Sequence, residues 1–201
     1  VLGFYAIAYQ LMNRPKSLFN PIITRVAFPV FSVIQEDESR LTRGYLKIIQ
    51  IIALIQMPIY LGIFVVADPF INLLLGPTWK PAIGVLQILA WLGILYSLRN
   101  PISSLFLAKG RADVGFWMNV MDLLTYTTAI LIGSHWGIHG VAWALLIVNA
   151  VLTAPVEFWF RWYLVKMKPM AFVNSFFLFF VLAAFMVVCV TTVDHYTKIN
   201  N

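Results

Sequence analysis

Residues Phe172–Val193 read FVNSFFLFFVLAAFMVVCVTTV, without one charged side chain from end to end. A helix crossing a bilayer needs about 20 mostly apolar residues, so this stretch reads as a membrane span. Five more apolar runs precede it, and the six together cover about 2–33, 48–67, 83–108, 114–132, 138–160 and 172–193, followed by a polar tail at 194–201. The first run is the least regular, being long for one straight span and holding Pro15, Pro21 and Pro29. The third is broken at Asn100-Pro101. None shows the ten-residue alternation of a membrane barrel. The fold class is therefore an all-α membrane protein of about six transmembrane helices.

Composition agrees. Of 201 residues, 61% are hydrophobic and 11% charged, with mean hydropathy +0.86. Soluble domains run nearer 45–50% apolar and about 25% charged. A soluble enzyme, a disordered tail and a nucleic-acid-binding domain are excluded, and no nucleic acid is expected as a partner. The net charge of +6 is distributed as a membrane protein distributes it. The first, third and fifth spacers carry Arg40, Arg43, Lys47, Lys109, Arg111, Arg161, Lys166 and Lys168; the second and fourth spacers and the tail carry only Lys80 and Lys198. That asymmetry assigns the first set to the cytoplasm and both termini to the outside. The chain starts at Val1 without a basic region and cleavage site, which reads as a chain already within the membrane region of a longer protein. Cys189 stands alone in an apolar run and reads as a small buried or lipid-facing residue.

Four basic residues lie inside the runs: Arg14, Lys16, Arg25 and Arg99. A charge at the bilayer centre costs ~2.5–3.5 kcal/mol on insertion scales, so it faces a cavity or a partner. At 100° per residue Asn13, Ser17, Asn20 and Thr24 form one polar stripe, with Lys16 on one border and Arg14 and Arg25 on the other. The expectation is a cavity-lining helix, with snorkelling to the interface as the alternative. Arg99 lies beside the Asn100-Pro101 break, where proline frees a carbonyl and bends a helix. Two acids complete the set. Asp122 shares a face with Asn119 and Tyr126, and Glu157 with Asn149 and Thr153. Each is a candidate for coupling transport to a cation or proton, or for pairing with an intramembrane arginine, Glu157 with Arg161 at i+4. His135 and His139 have metal-compatible spacing, but the glycines around them favour a turn. No metal and no cofactor is expected, and no nucleotide-binding or hydrolytic motif is present.

Several motifs carry a resemblance. They are Asn20-Pro21-Ile22-Ile23-Thr24-Arg25-Val26-Ala27-Phe28-Pro29, then Phe31-Ser32 with Gln35-Glu36-Asp37, Gly76-Pro77-Thr78-Trp79, and Asn100-Pro101-Ile102-Ser103-Ser104-Leu105. The series resembles the Wzx-type polysaccharide or O-antigen flippases of the multidrug/oligosaccharidyl-lipid/polysaccharide exporter superfamily, nearest their colanic-acid-exporting branch. It is dense at 21–37 and 100–113 and loose after Pro169. The resemblance implies the second lobe of a two-lobed transporter, acting by alternating access in the bacterial inner membrane. Its implied cargo is a polyprenyl-pyrophosphate-linked glycan for lipopolysaccharide or exopolysaccharide biosynthesis. Its implied partners are membrane lipid, an N-terminal lobe of the same protein and the polysaccharide assembly enzymes. It implies no enzyme activity. Arg25 and Arg99 fall in or beside the matching motifs as substrate-binding residues; Arg14, Lys16 and Asn20 join them as the cationic arc. The alternatives are a small-molecule exporter of the same superfamily and a structural membrane subunit.

Overall fold

The structure is a computed structural model. It describes residues 2–199, and the side chains of these except Val165 and 193–199. Asn200 and Asn201, the end of the expected tail, and Val1 lie outside the described residues. Among the described residues no strand occurs. The helices are α1 (Leu2–Ile34), α2 (Glu38–Leu74), α3 (Pro81–Arg99), α4 (Pro101–Ala108), α5 (Ala112–Ser134), α6 (Gly137–Val148), α7 (Ala154–Val165) and α8 (Pro169–Ile199). A single 3-10 turn at Pro77–Trp79 precedes α3, and a π turn at Asn149–Thr153 joins α6 to α7. Five units are long and apolar enough to cross a membrane: α1, α2, α3 with α4, α6 with α7, and α8 up to Thr192. α5 has the length, but Asn119, Asp122 and three threonines dilute its apolar content. The chain is a multi-pass membrane protein.

α1 stays helical through all three of its prolines. Each removes one N–H, and membrane helices tolerate the loss because neighbouring helices and local adjustments satisfy the freed backbone groups. α2 starts ten residues before its apolar run. The Asp37 carboxylate caps it, accepting from the N–H groups of Ser39 and Arg40 at 3.0 Å each. Leu41, Tyr45 and Ile49 then recur every fourth residue and are fully buried, so an amphipathic stretch extends the span past the apolar core. α8 likewise runs on to Ile199, beyond the boundary that hydropathy alone suggests. The third span does divide at Asn100-Pro101. The π turn ends just before Pro155, which stands in the first turn of α7.

α2 and α3 pack together at the centre, with α1, α6 and α8 against them and α5 packed on α6. Gly93 on α3 seats the ring of Tyr60 from α2 so closely that a methyl group there would collide with it. The first, third and fifth spacers meet at one end of the helix bundle. Lys109 donates to the carbonyl of Gln35 at 2.7 Å, and Lys166 pairs with Glu38 at 3.1 Å.

Candidate functional site: a polar cavity beside a buried ion network

A cavity of about 460 Å³ opens between α1, α3, α4 and α5. α1 contributes Tyr9, Lys16 and Asn20; α3 contributes Tyr96 and Arg99; α5 contributes Asn119, Asp122 and Tyr126; and Asn100 and Ser103 lie at the α3–α4 break. The break matters here. At the break, Asn100 has a buried side-chain N–H that has no partner. Asn20 likewise has a buried carbonyl oxygen without one. Unpartnered buried polar atoms are costly, and these two belong to residues that line the cavity.

Arg99 is held by two carboxylates. It pairs with Asp122 of α5 and Glu157 of α7, and it donates to the Tyr126 hydroxyl at 2.8 Å. The π turn brings Asn149 to the same hydroxyl at 2.6 Å. Glu157 also pairs with Arg161 at 3.2 Å, and Arg161 donates to Tyr45 at 2.9 Å and stacks over Phe172 at 4.8 Å. Two arginines therefore meet two carboxylates, and the network is charge-balanced. It joins α2, α3, α5, α7 and α8.

Lys16 is outside that balance. Among the described residues it pairs with no carboxylate; its ammonium lies over the ring of Tyr96 at 4.8 Å. A cation over a ring face is attracted to it and is not neutralised by it. The cavity thus has one net positive charge, among tyrosines and amides.

The structure gathers Lys16, Asn20, Arg99 and Asp122 around one space, with Glu157 directly behind Arg99. Arg14 and Arg25, also in the expected cationic arc, do not line it. Both are exposed, Arg25 outside the cavity and Arg14 on an apolar groove elsewhere. The reason is angular. Tyr9, Lys16 and Asn20 fall within about 40° of one another around α1, whereas Arg14 and Arg25 lie about 120–180° from Lys16 and Asn20. The hydroxyl stripe misleads because Ser17 and Thr24 bond back to α1's own carbonyls, Arg14 and Asn20, at 2.9 Å. Arg161, read from its position as a cytoplasmic anchor, is 4% exposed inside the network. Tyr45, Tyr96 and Tyr9 carry no sequence signal as site residues; the spacing Tyr9, Lys16 (i+7), Asn20 (i+11) is the pattern that marks the face. Among the described residues no group of His, Cys, Asp and Glu suits a metal.

Residues 1–84 match the family described as polysaccharide biosynthesis protein. The chain is 36% identical over 186 residues to the teichuronic acid biosynthesis protein TuaB of Bacillus subtilis, covering 92% of this chain and 38% of that protein. It is 40% identical over 154 residues to the lipopolysaccharide biosynthesis protein WzxC of Escherichia coli, covering 76% and 31%. It is 28% identical over 152 residues to the succinoglycan biosynthesis transport protein ExoT of Rhizobium meliloti, covering 74% and 30%. The chain spans less than half the length of the curated relatives it matches. No solved structure matches it.

Proposed function

We propose, from the match of residues 1–84 to the family described as polysaccharide biosynthesis protein, that the chain is one lobe of a flippase. Its cargo is a polyprenyl-pyrophosphate-linked oligosaccharide, moved across the bacterial inner membrane for lipopolysaccharide or exopolysaccharide assembly. The observation that carries this reading is Lys16, an intramembrane cation in a polar cavity that pairs with no carboxylate among the described residues. An uncompensated buried charge is unfavourable in lipid. A pyrophosphate head group supplies the missing negative charge through charge-assisted hydrogen bonds. Asn20 and Asn100 supply further polar contacts, and Tyr9, Tyr96 and Tyr126 offer ring faces to the first sugar.

The acids give the cycle its second half. While Asp122 and Glu157 are ionised they hold Arg99. A proton on either loosens that hold and frees Arg99 to turn to the anion beside Lys16. Loss of the proton recaptures Arg99 and releases the cargo. No bond is made or broken, so the reaction is transport and not catalysis. The cytoplasmic end is the one where Lys109 and Lys166 meet the α1–α2 turn, in keeping with the Lys and Arg asymmetry.

The test is export in cells carrying the chain as its gene encodes it in full. Lipid-linked oligosaccharide in the inner leaflet is measured and normalised to protein level. Lys16→Ala is expected to abolish export, and Arg25→Ala to leave it near wild type. Wild-type export by Lys16→Ala overturns the reading.

A further inference from the structure

A second concavity differs from the first in its lining. Between α1 and α2 runs an apolar groove of about 400 Å³, walled by Leu11, Leu18, Ile59, Ile63 and Phe70. Arg14 is the one charged residue on its wall. A smaller hollow of about 140 Å³ shares Arg14, Leu11 and Phe70 and adds Gln10. Arg14 sits where the two meet. It is exposed, and among the described residues it pairs with no carboxylate.

Depth and direction say what fits. The 33 residues of α1 measure about 50 Å, at 1.5 Å per residue. Centred on a hydrocarbon core about 30 Å thick, the helix overhangs each side by about 10 Å. Arg14 is about 18 Å from the helix start, so its Cα lies about 8 Å below the boundary. From there the side chain reaches the interface by snorkelling. Gln10 and the small hollow lie on the terminal side of Arg14; the apolar groove runs from Arg14 toward the midplane. Two polar side chains, Arg14 and Gln10, toward the surface and an apolar groove toward the centre give the orientation of a lipid in one leaflet. The groove follows α1 from Leu11 to Phe19, about 12 Å, enough for the upper part of one acyl chain.

We propose that this groove is a binding site for an anionic glycerophospholipid, its phosphate on Arg14 and one acyl chain against Leu18, Ile59 and Ile63. The phosphate neutralises the exposed guanidinium, and the planar fork of Arg suits paired phosphate oxygens. The site is independent of the cavity and of the cargo.

The experiment uses the full chain in nanodiscs of mixed phosphatidylglycerol and phosphatidylethanolamine, with a photo-cross-linking residue at Leu18. Mass spectrometry identifies the adducts. The expected result is phosphatidylglycerol enriched over its share of the bilayer by about fivefold, as one cation near an anionic lipid gives. Arg14→Gln is expected to remove the enrichment, Arg14→Lys to keep most of it, and Ile63→Trp to suppress the adduct by filling the groove. Thermal unfolding checks that each variant is folded. Adducts to another part of the protein, adducts to polyprenyl lipid, or adducts without head-group preference overturn the proposal. So does enrichment that survives Arg14→Gln.

Discussion

The guanidinium of Arg161 on α7 donates to the hydroxyl of Tyr45 on α2 at 2.9 Å, across 116 residues of sequence. Both side chains are buried. The contact anchors one end of the ion network, and Glu157, shared between Arg161 and Arg99, is its hinge pin.

Removing that pin exposes two arginines to a shared deficit. Glu157→Gln leaves Arg99 with Asp122 alone and Arg161 with no carboxylate. Breaking a buried pair from one side costs about 3–5 kcal/mol, so thermal unfolding in detergent should show a large loss. The double variant Glu157→Gln/Arg161→Gln should lose less than the sum of the two singles, because each single already breaks the shared pair. Strict additivity would mean that the pair contributes nothing.

Asp122→Asn imitates a permanently protonated Asp122. Arg99 keeps Glu157 and Tyr126, so the variant should fold with a loss of about 1–3 kcal/mol. Transport should suffer more than folding, since Arg99 can no longer be recaptured in full. The check is export measured with and without a collapsed proton gradient. The wild type should slow when the gradient collapses, and the variant should respond little.

At the membrane surface, Asp37 caps α2. The Arg40 backbone N–H, aided by the Ser39 hydroxyl, holds its carboxylate below the usual range. A lowered folded-state pKa means that the cap's contribution is present above the ordinary carboxylate pKa of about 3.9 and is lost as pH falls through the folded value. Asp37→Ala should therefore speed amide exchange at Ser39 and Arg40 at neutral pH, and Asp37→Ser should restore most of the protection. Unchanged exchange in Asp37→Ala would show that tertiary packing alone holds this turn.

Much of the fold is legible in the sequence, for a plain reason. Six runs of apolar residues are each long enough for a bilayer, and Asn100-Pro101 marks a real break. The ends of α2 and α8 are not legible from hydropathy, because Leu41 and Tyr45 extend the buried face of α2 among charges that solvate at the interface. In the site, Lys16, Asn20, Arg99 and Asp122 come together as the charges and the break suggest. Arg25 stands apart because it lies about 140–180° around α1 from Lys16 and Asn20, while the hydroxyls of Ser17 and Thr24, which bond their own helix, make the wrong face look polar in sequence. The pairing of Glu157 with Arg161 is legible from the i+4 spacing, but the burial of Arg161 against Tyr45 is not. Arg161's neighbours Lys166 and Lys168 suggest a loop, while its binding partner Tyr45 is far away in the chain.

The central claim is that the unpaired charge of Lys16 receives the anionic head group of the cargo. The most direct measurement is equilibrium binding of a polyprenyl pyrophosphate to the purified full chain and to its Lys16→Met variant, which keeps length and apolar bulk while removing the charge. A hydrogen bond to a charged group contributes about 1.5–3 kcal/mol, so affinity should fall at least about tenfold, with Arg25→Met binding as the wild type does. Equal affinity in the wild type and Lys16→Met, with the variant folded, would contradict the account.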